Sequence, residues 1–171
     1  MSDGEGLSFL ELASGTGSLT RAMALAFPKA KITCVDLSPH YLSYAKKRLA
    51  EFRRIDYIQG AAENLNFKDE SFDAVFSCYL FHELPENVRH QVIREKRRVL
   101  RKSGFLGLVD SIQKDDDESM NWALQQFPVD FHEPFYKNYT EKNLEEALRK
   151  EGFSEIKRDI AFLTKVISTT K

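Results

Sequence analysis

Leu7-Ser8-Phe9-Leu10-Glu11-Leu12-Ala13-Ser14-Gly15-Thr16-Gly17 decides the architecture of this chain. Its apolar residues Leu7, Phe9, Leu10, Leu12 and Ala13 are interrupted only by Ser8 and Glu11, the composition of a strand covered on both faces. The turn at Ser14-Gly15-Thr16-Gly17 gives the backbone the freedom to pass straight from strand to helix, with room for a ligand to reach main chain. Leu19, Ala22, Met23, Ala26 and Phe27 recur at helical spacing and predict a helix laid on the sheet, stopped by Pro28. Ile32, Thr33, Cys34 and Val35 predict a second strand, closing on Asp36, 19 residues beyond Gly17. A strand, glycine turn and helix with an acid at that distance form the nucleoside-binding half of a Rossmann-like sheet, the acid accepting from ribose hydroxyls.

A dinucleotide fingerprint needs glycine or alanine three residues after its second glycine, and Thr20 stands there, so a nicotinamide site is disfavoured. Glu11, Ala13, Gly15 and Gly17 follow instead the spacing acid-x-small-x-Gly-x-Gly.

Outward from this stretch, 171 residues suffice for one domain with a real core, and no repeat or linker divides them, so residues 1–171 are read as a single domain. A hydrophobic share of 42% beside 30% charged residues is a soluble globular balance and excludes disorder. The net charge of −1 supplies no field for nucleic acid or acidic lipid, so no nucleic-acid partner is expected. No run approaches the ~20 apolar residues of a membrane span, and residues 1–6 lack the basic start and apolar core of an export signal. Cys34 and Cys78 fall within apolar runs as buried thiols, which predicts a reducing, cytoplasmic setting.

Ser38 and Pro39 predict a helix start, with Tyr41, Ala45, Leu49 and Phe52 on one face and Lys46, Lys47 and Arg48 toward solvent. Ile55 to Ile58 make a third strand ending at Gln59-Gly60, and residues 72–78 a fourth. Ser14 to Gly17, Asp36, Gln59 to Ala62 and Ser77 to Phe81 then all fall at strand carboxyl ends, where a parallel sheet holds its ligand. Pro85 opens a helix with Val88, Val92, Val99 and Leu100 inward and the basic residues from Arg94 to Arg101 mainly outward. Ser103-Gly104 ends it, and Phe105, Leu106, Leu108 and Val109 form a fifth strand finishing at Asp110. Such alternation implies parallel pairing with right-handed crossovers.

Residues 111–139 differ in character, crowding Trp122, Phe127, Phe131, Phe135, Tyr136 and Tyr139 beside His132-Glu133-Pro134. They are expected as a substrate-covering insert. Asp115-Asp116-Asp117-Glu118 reads as an acidic helix start; consecutive acids on a helix diverge, and no metal is expected. Thr140 caps a last helix carrying Leu144, Ala147 and Leu148, and residues 153–159 and 160–168 make two antiparallel end strands.

Residues 11–17 resemble motif I of the class I S-adenosylmethionine-dependent methyltransferases, in which alanine is a common variant at the position of Ala13. Asp36-Leu37-Ser38-Pro39 resembles the family's ribose-binding strand end, Gly60-Ala61-Ala62-Glu63-Asn64 its Gly-Asp-Ala-Glu-Asn loop, and Ser71-Phe72-Asp73 to Ser77 its fourth strand. Arg98-Val99-Leu100-Arg101-Lys102-Ser103-Gly104 is similar to its Arg-Val-Leu-Lys-Pro-Gly-Gly approach to strand five. These blocks run in family order over most of residues 7–110 and come closest to the small-molecule methyltransferases related to quinone-ring methylation.

The resemblance implies an α/β three-layer Rossmann-like sandwich, its seven-stranded, mostly parallel sheet ordered 3-2-1-4-5-7-6 with the last strand antiparallel. It implies S-adenosyl-L-methionine as methyl donor, released as S-adenosyl-L-homocysteine. Ala13, Ser14, Gly15 and Gly17 would hold the methionine end, near a helix N-terminus, and Glu11 would steady the turn or the amino group. Asp36 would take the ribose, Leu37 would pack on the adenine bordered by Ala61, Ala62 and Glu63, and Ser77 with Cys78 and Tyr79 would floor the reacting methyl.

Two departures stand out. Ala61 replaces the aspartate that usually accepts from the adenine amine, leaving recognition to the Ala62 main chain and Gln59 at a cost of about 1–2 kcal/mol, roughly tenfold in affinity. Only residues 1–6 precede the first strand, whereas many relatives carry N-terminal helices there. The resemblance therefore implies an open crevice, cover by a second copy or another partner, or a core cut from a longer protein.

Methyl transfer from a sulfonium is an in-line displacement that needs alignment and exclusion of water, and a base only when the acceptor arrives protonated. His82, after the fourth strand, and His132, in the aromatic segment, are the candidate bases, with an imidazole's suitability near neutrality. The expected activity is methylation of a small-molecule acceptor, aromatic or apolar in character. The rival expectation is a non-catalytic Rossmann-like module that binds the cofactor or a partner without turnover. Residues 77–80 read Ser-Cys-Tyr-Leu and not Asn-Pro-Pro-Tyr, which disfavours methylation of nucleic acid or protein.

Overall fold

Seven strands carry the molecule: β1 (Ser8–Leu12), β2 (Lys31–Asp36), β3 (Ile55–Gln59), β4 (Phe72–Cys78), β5 (Leu100–Ser111), β6 (Ser154–Ala161) and β7 (Thr164–Thr170). In this computed structural model, which describes residues 3–171, they form one sheet ordered β3-β2-β1-β4-β5-β7-β6. Pairing is parallel from β3 to β5, while β7 runs antiparallel to both neighbours. This is the sheet order the resemblance implies. Met1 and Ser2, part of the stretch ahead of β1, lie outside the described residues.

The helices are α1 (Ser18–Ala26), α2 (Pro39–Arg48), α3 (Glu86–Val99), α4 (Asn121–Asp130), α5 (Tyr136–Glu141) and α6 (Leu144–Lys150). β1 feeds two cores because alternate side chains leave opposite faces. Leu10 and Leu12 join Val75, Leu106, Leu108 and the α3 residues Val92 and Ile93, whereas Phe9 joins Ile32, Cys34, Ala74 and the α1 residues Met23 and Ala24. Helices therefore cover both sheet faces.

Several expected faces and boundaries are corrected. α1 buries Thr20, Met23 and Ala24 and leaves Ala22 and Ala26 exposed, a rotation that brings the Thr20 hydroxyl to Glu11. α2 buries Leu42 and Ala45, with Leu49 just beyond its end, while Tyr41 faces solvent. α3 stops at Val99 and β5 begins at Leu100 with no loop. Ser103-Gly104 is thus not a helix end; it lies in an irregularity where the register steps from Phe72↔Leu100 to Ala74↔Phe105, and a side chain on Gly104 would collide with Leu100 and the Arg101 carbonyl. Thr140 does not cap α6: it lies within α5, and Asn143 Oδ1 caps α6 by accepting from Glu146 N at 2.8 Å. The acidic run opens no α-helix either. Asp117 caps a single 3-10 turn at Glu118–Met120, and Asp116 is drawn inward by the buried ammonium of Lys165 at 2.8 Å.

The largest departure concerns the basic stretch of α3, expected outward. Lys96 falls in phase with Val92 and Val99, and its side chain is completely buried. Its Nζ donates to Ser77 Oγ and lies 5.2 Å from the centre of the Phe81 ring. Burial pushes this ammonium down to about 7, the charges of Asp110 and Glu11 only partly opposing the shift. In the unfolded chain the same group titrates near 10.5, so at pH below about 7 both states are protonated and the folded state bears the full cost of a buried cation. That cost fades as the pH rises from 7 toward 10.5. Lys96→Met, close in volume, is therefore expected to raise the melting temperature relative to wild type at pH 6 by several degrees, consistent with about 1–4 kcal/mol for replacing a buried ion by an apolar group. The difference should shrink or reverse at pH 9, where only the Ser77 contact has been lost. A difference that grows with pH in paired thermal scans would contradict this account.

Candidate active site

The carboxyl ends of β1, β2, β4 and β5 meet along one edge, and each strand delivers a functional group there for a local reason. After β1 the chain turns through Ala13 at φ 56°, Gly15 at φ 52° and Gly17 at φ 80°. Left-handed backbone is uncommon for alanine and clusters at ligand turns. A side chain on Gly15 would point into open space, whereas one on Gly17 would stand 2.7 Å from Leu49 Cδ1. Gly15 therefore leaves room above the turn, and Gly17 lets α1 and α2 close beneath it. The Ser14 hydroxyl is buried with no oxygen or nitrogen partner. No side chain caps α1 and no acid occupies its first turn, so its leading amides are left without a side-chain acceptor.

Asp36 closes the other side. Its Oδ2 accepts from Gly15 N and its Oδ1 from Ser38 N, both at 2.8 Å, so the carboxylate is fixed across the turn with lone pairs to spare. Beyond it Leu37 holds an apolar side chain in solvent, 67% exposed, which suits stacking under a planar base. Ala62 is buried beside it, and Ala61 and Glu63 are half-buried. Gln59, expected to help read the adenine, donates its amide to the Leu37 carbonyl at 3.1 Å and so shapes the loop instead.

Glu11 lies below the turn, 1% exposed, accepting from the Thr20 hydroxyl; burial pushes its carboxyl up to about 7. Its position ties β1 to α1 under the glycines. These observations fit a nucleoside with an anionic end: bare helix amides, open space over Gly15 and a braced acid for vicinal hydroxyls.

At the end of β4, Ser77 is buried and accepts from Lys96, while the half-buried Cys78 thiol is pushed up to about 11 by burial and so stays protonated, no nucleophile. Tyr79 takes the left-handed conformation, φ 53°, and swings the chain into a 3-10 turn at Phe81–Glu83. That turn sets His82 against Asp110, the last core acid of β5. Asp110 Oδ2 accepts from Leu80 N and Phe81 N, and its Oδ1 meets His82 Nδ1 at 2.7 Å and accepts from Ser111 N. His82 is 8% exposed, with the rings of Tyr79, Tyr136 and Tyr139 edge-on at 5.9–6.2 Å. Burial opposes its protonation, but Asp110 and the charges of Glu83 and Glu133 outweigh it, and the imidazole pKa is raised.

The two candidate bases are thus separated. His82 joins the strand-end cluster, whereas His132 is exposed between α4 and α5, without a hydrogen bond or ion pair among the described residues. The aromatic segment is likewise divided: Tyr136 and Tyr139 are buried over His82, and Trp122 and Phe131 face solvent. A groove of about 610 Å³ bounded by Arg89, Gln113, Tyr139, Lys142 and Arg158 contains none of the strand-end residues. Asp110 and Lys96 escaped the sequence analysis as site residues. An acid closing an apolar strand, and a lysine at the helical spacing of valines, were the available signals.

A family model described as a methyltransferase domain matches residues 9–104. The chain is 39% identical over 101 residues to a demethylmenaquinone methyltransferase of Thermotoga maritima, covering 59% of this chain and 42% of that protein. It is 29% identical over 150 residues to a malonyl-[acyl-carrier protein] O-methyltransferase of Geobacter sulfurreducens, covering 86% and 55%. The chain thus spans only about two fifths to one half of these relatives. Among solved structures, the fold is similar to the CurJ carbon methyltransferase (TM-score 0.76, 16% identity, 99% of this chain and 50% of that one). It is similar also to phosphoethanolamine N-methyltransferase 2 of Haemonchus contortus, solved with S-adenosyl-L-methionine (TM-score 0.73, 18% identity, 100% and 49%). At these identities the structural matches show a shared fold.

Proposed function

The chain belongs to the class I S-adenosylmethionine-dependent methyltransferase family, and on that premise we propose that its strand-end crevice binds S-adenosylmethionine and passes the methyl to a small-molecule acceptor. One observation carries this reading above the others: Asp36 is braced by Gly15 N and Ser38 N, one bond to each carboxylate oxygen, which leaves each oxygen a further lone pair for the ribose.

Ala13, Ser14, Gly15 and Gly17 line the methionine end, where the bare amides of α1 receive its carboxylate, and Glu11 holds the turn from below. Asp36 accepts from the ribose hydroxyls, Leu37 packs on the adenine, and Ala61, Ala62 and Glu63 border it. When bound, the donor supplies a methyl made electrophilic by its sulfonium. Ser77 and Cys78 floor that methyl and keep water from it. His82 Nε2, oriented through Nδ1 by Asp110, is the atom placed to take a proton from an acceptor that arrives protonated. His132 has no orienting partner and receives no such role.

The tyrosines around His82 and the exposed Phe131 favour a planar or apolar acceptor, in keeping with the quinone precursor in the name of the Thermotoga relative. No helix among the described residues is long and apolar enough to cross a membrane, which is compatible with action in the cytoplasm. Leu37, Tyr41 and Tyr44 stand exposed on the adenine side of the crevice, and a second copy or partner chain is proposed to cover it. A non-catalytic module is the second reading, favoured by Ala61 and by the diversion of Gln59 to Leu37.

Calorimetry is expected to give micromolar binding of S-adenosylhomocysteine, and metabolite extracts incubated with isotopically labelled donor should yield a labelled small molecule. Absence of heat at high concentration would count against the whole proposal. Binding with no labelled product would select the non-catalytic reading.

A further inference from the structure

We propose that His82 Nε2, Glu83 and Glu133 ligate one divalent transition-metal ion on the acceptor side of the crevice. Donor atoms of these three side chains lie within 4.8 Å of one another, with His82 Nε2 and Glu83 Oε1 3.7 Å apart. Ligand atoms about 2.1 Å from a shared ion stand roughly 3.0–3.4 Å apart at neighbouring positions, whereas acceptors about 2.8 Å from a shared ammonium stand roughly 4.6 Å apart. The His82–Glu83 pair is nearer the first spacing while the 4.8 Å limit of the three is nearer the second, so an ion has to draw the carboxylates in, which both glutamates can follow, Glu83 being exposed and Glu133 half-buried.

A second observation is independent of that spacing. His82 is 8% exposed, its Nδ1 is held by Asp110 at 2.7 Å, and its Nε2 makes no hydrogen bond. A histidine whose inner N–H donates to a carboxylate presents its outer lone pair in a fixed direction, the arrangement that orients a histidine ligand. Neither Glu83 nor Glu133 is paired with a lysine or arginine among the described residues, so with Asp110 three carboxylates surround one imidazole. One imidazole and two carboxylates suit manganese, iron or zinc and leave coordination positions open.

Glu133 belongs to the loop between α4 and α5, so the ion would tie the aromatic segment to the end of β4. An oxygen of the acceptor can fill an open position, its acidity raised by the ion, and His82 is then a ligand in place of a base. That consequence rests on the methyl-transfer reading above; the binding does not.

The test titrates Mn²⁺ and Zn²⁺ by calorimetry, and Co²⁺ by visible absorption, into metal-free wild-type protein and into Glu83→Gln and Glu133→Gln, whose side chains do not support the core. One ion per chain is expected, weakened at least tenfold by either glutamine; Asp110→Asn should weaken it about 10–100-fold. No binding, or binding indifferent to both glutamines, overturns the proposal. Ethylammonium binding that both glutamines abolish, with no ion bound, overturns it also and assigns an ammonium site. S-adenosylhomocysteine titrated in excess chelator tests the cofactor crevice separately, so failure of the ion site and failure of the methyl-transfer reading are distinguishable.

Discussion

Replacing Asp36 by alanine will lower the affinity for S-adenosylhomocysteine at least about hundredfold, to the point where calorimetry under wild-type conditions records no saturation. The carboxylate acts in two ways. It fixes the turn by accepting from Gly15 N and Ser38 N at 2.8 Å each, and it offers its other lone pairs to the ribose. Hydrogen bonds to a charged group contribute about 1.5–3 kcal/mol each, and hundredfold in affinity corresponds to about 2.8 kcal/mol. Loss of the ribose contacts alone reaches that figure, and loosening of the turn adds to it. Asp36→Asn keeps an acceptor for Ser38 and should fall between. A variant that melts with wild type yet binds within threefold would remove Asp36 from the cofactor site.

Asp110→Ala should produce the largest loss of stability of any change at the site. The carboxylate is 1% exposed and collects Leu80 N, Phe81 N, Ser111 N and the His82 ring. Alanine leaves buried main-chain donors without partners, each costing about 1–3 kcal/mol, and removes a negative charge that favours the buried Lys96 ammonium. A total of about 3–5 kcal/mol would lower the melting temperature by about 10 °C. Asp110→Asn is the informative companion. Its amide oxygen can still accept from the turn, but the proton relation with His82 Nδ1 is reversed, and the outer nitrogen becomes a donor. Where the acceptor must be deprotonated, turnover should fall about 10²–10⁴-fold while S-adenosylhomocysteine affinity stays within a few fold. Equal losses in binding and turnover would show that Asp110 merely supports the strand ends.

The parts of the molecule legible in the sequence were those fixed by neighbours along the chain. The nearly continuous apolar run of β1, the glycines after it and the acid closing β2 are local signals, and they were enough to place Gly15 and Asp36 together. The helix faces were less legible, because Thr20 and Lys96 go inward to meet Glu11 and Ser77, polar residues on the strands beneath them. Polar residues give no hydropathy signal for such burial. The cluster at His82 was hidden for the same reason: Asp110 reaches it across 28 residues, and Glu133 from a segment whose aromatic residues are divided between core and surface. Nothing in the local pattern of residues 111–139 distinguishes Tyr139, fully buried, from Trp122, 68% exposed.

The direct junction of α3 with β5 bears on where this chain tolerates insertion. Val99 is the last helical residue and Leu100 already pairs with Phe72, so no slack exists between them. One residue added there would turn the helix by about 100° against the strand, swinging Lys96 away from Ser77 and driving solvent-facing arginines into the core. Fusion tags, reporter domains or permuted termini should therefore be carried on the exposed connection between β6 and β7, where Phe162 is 72% exposed, and a library of random insertions should return almost none between Ile93 and Leu100.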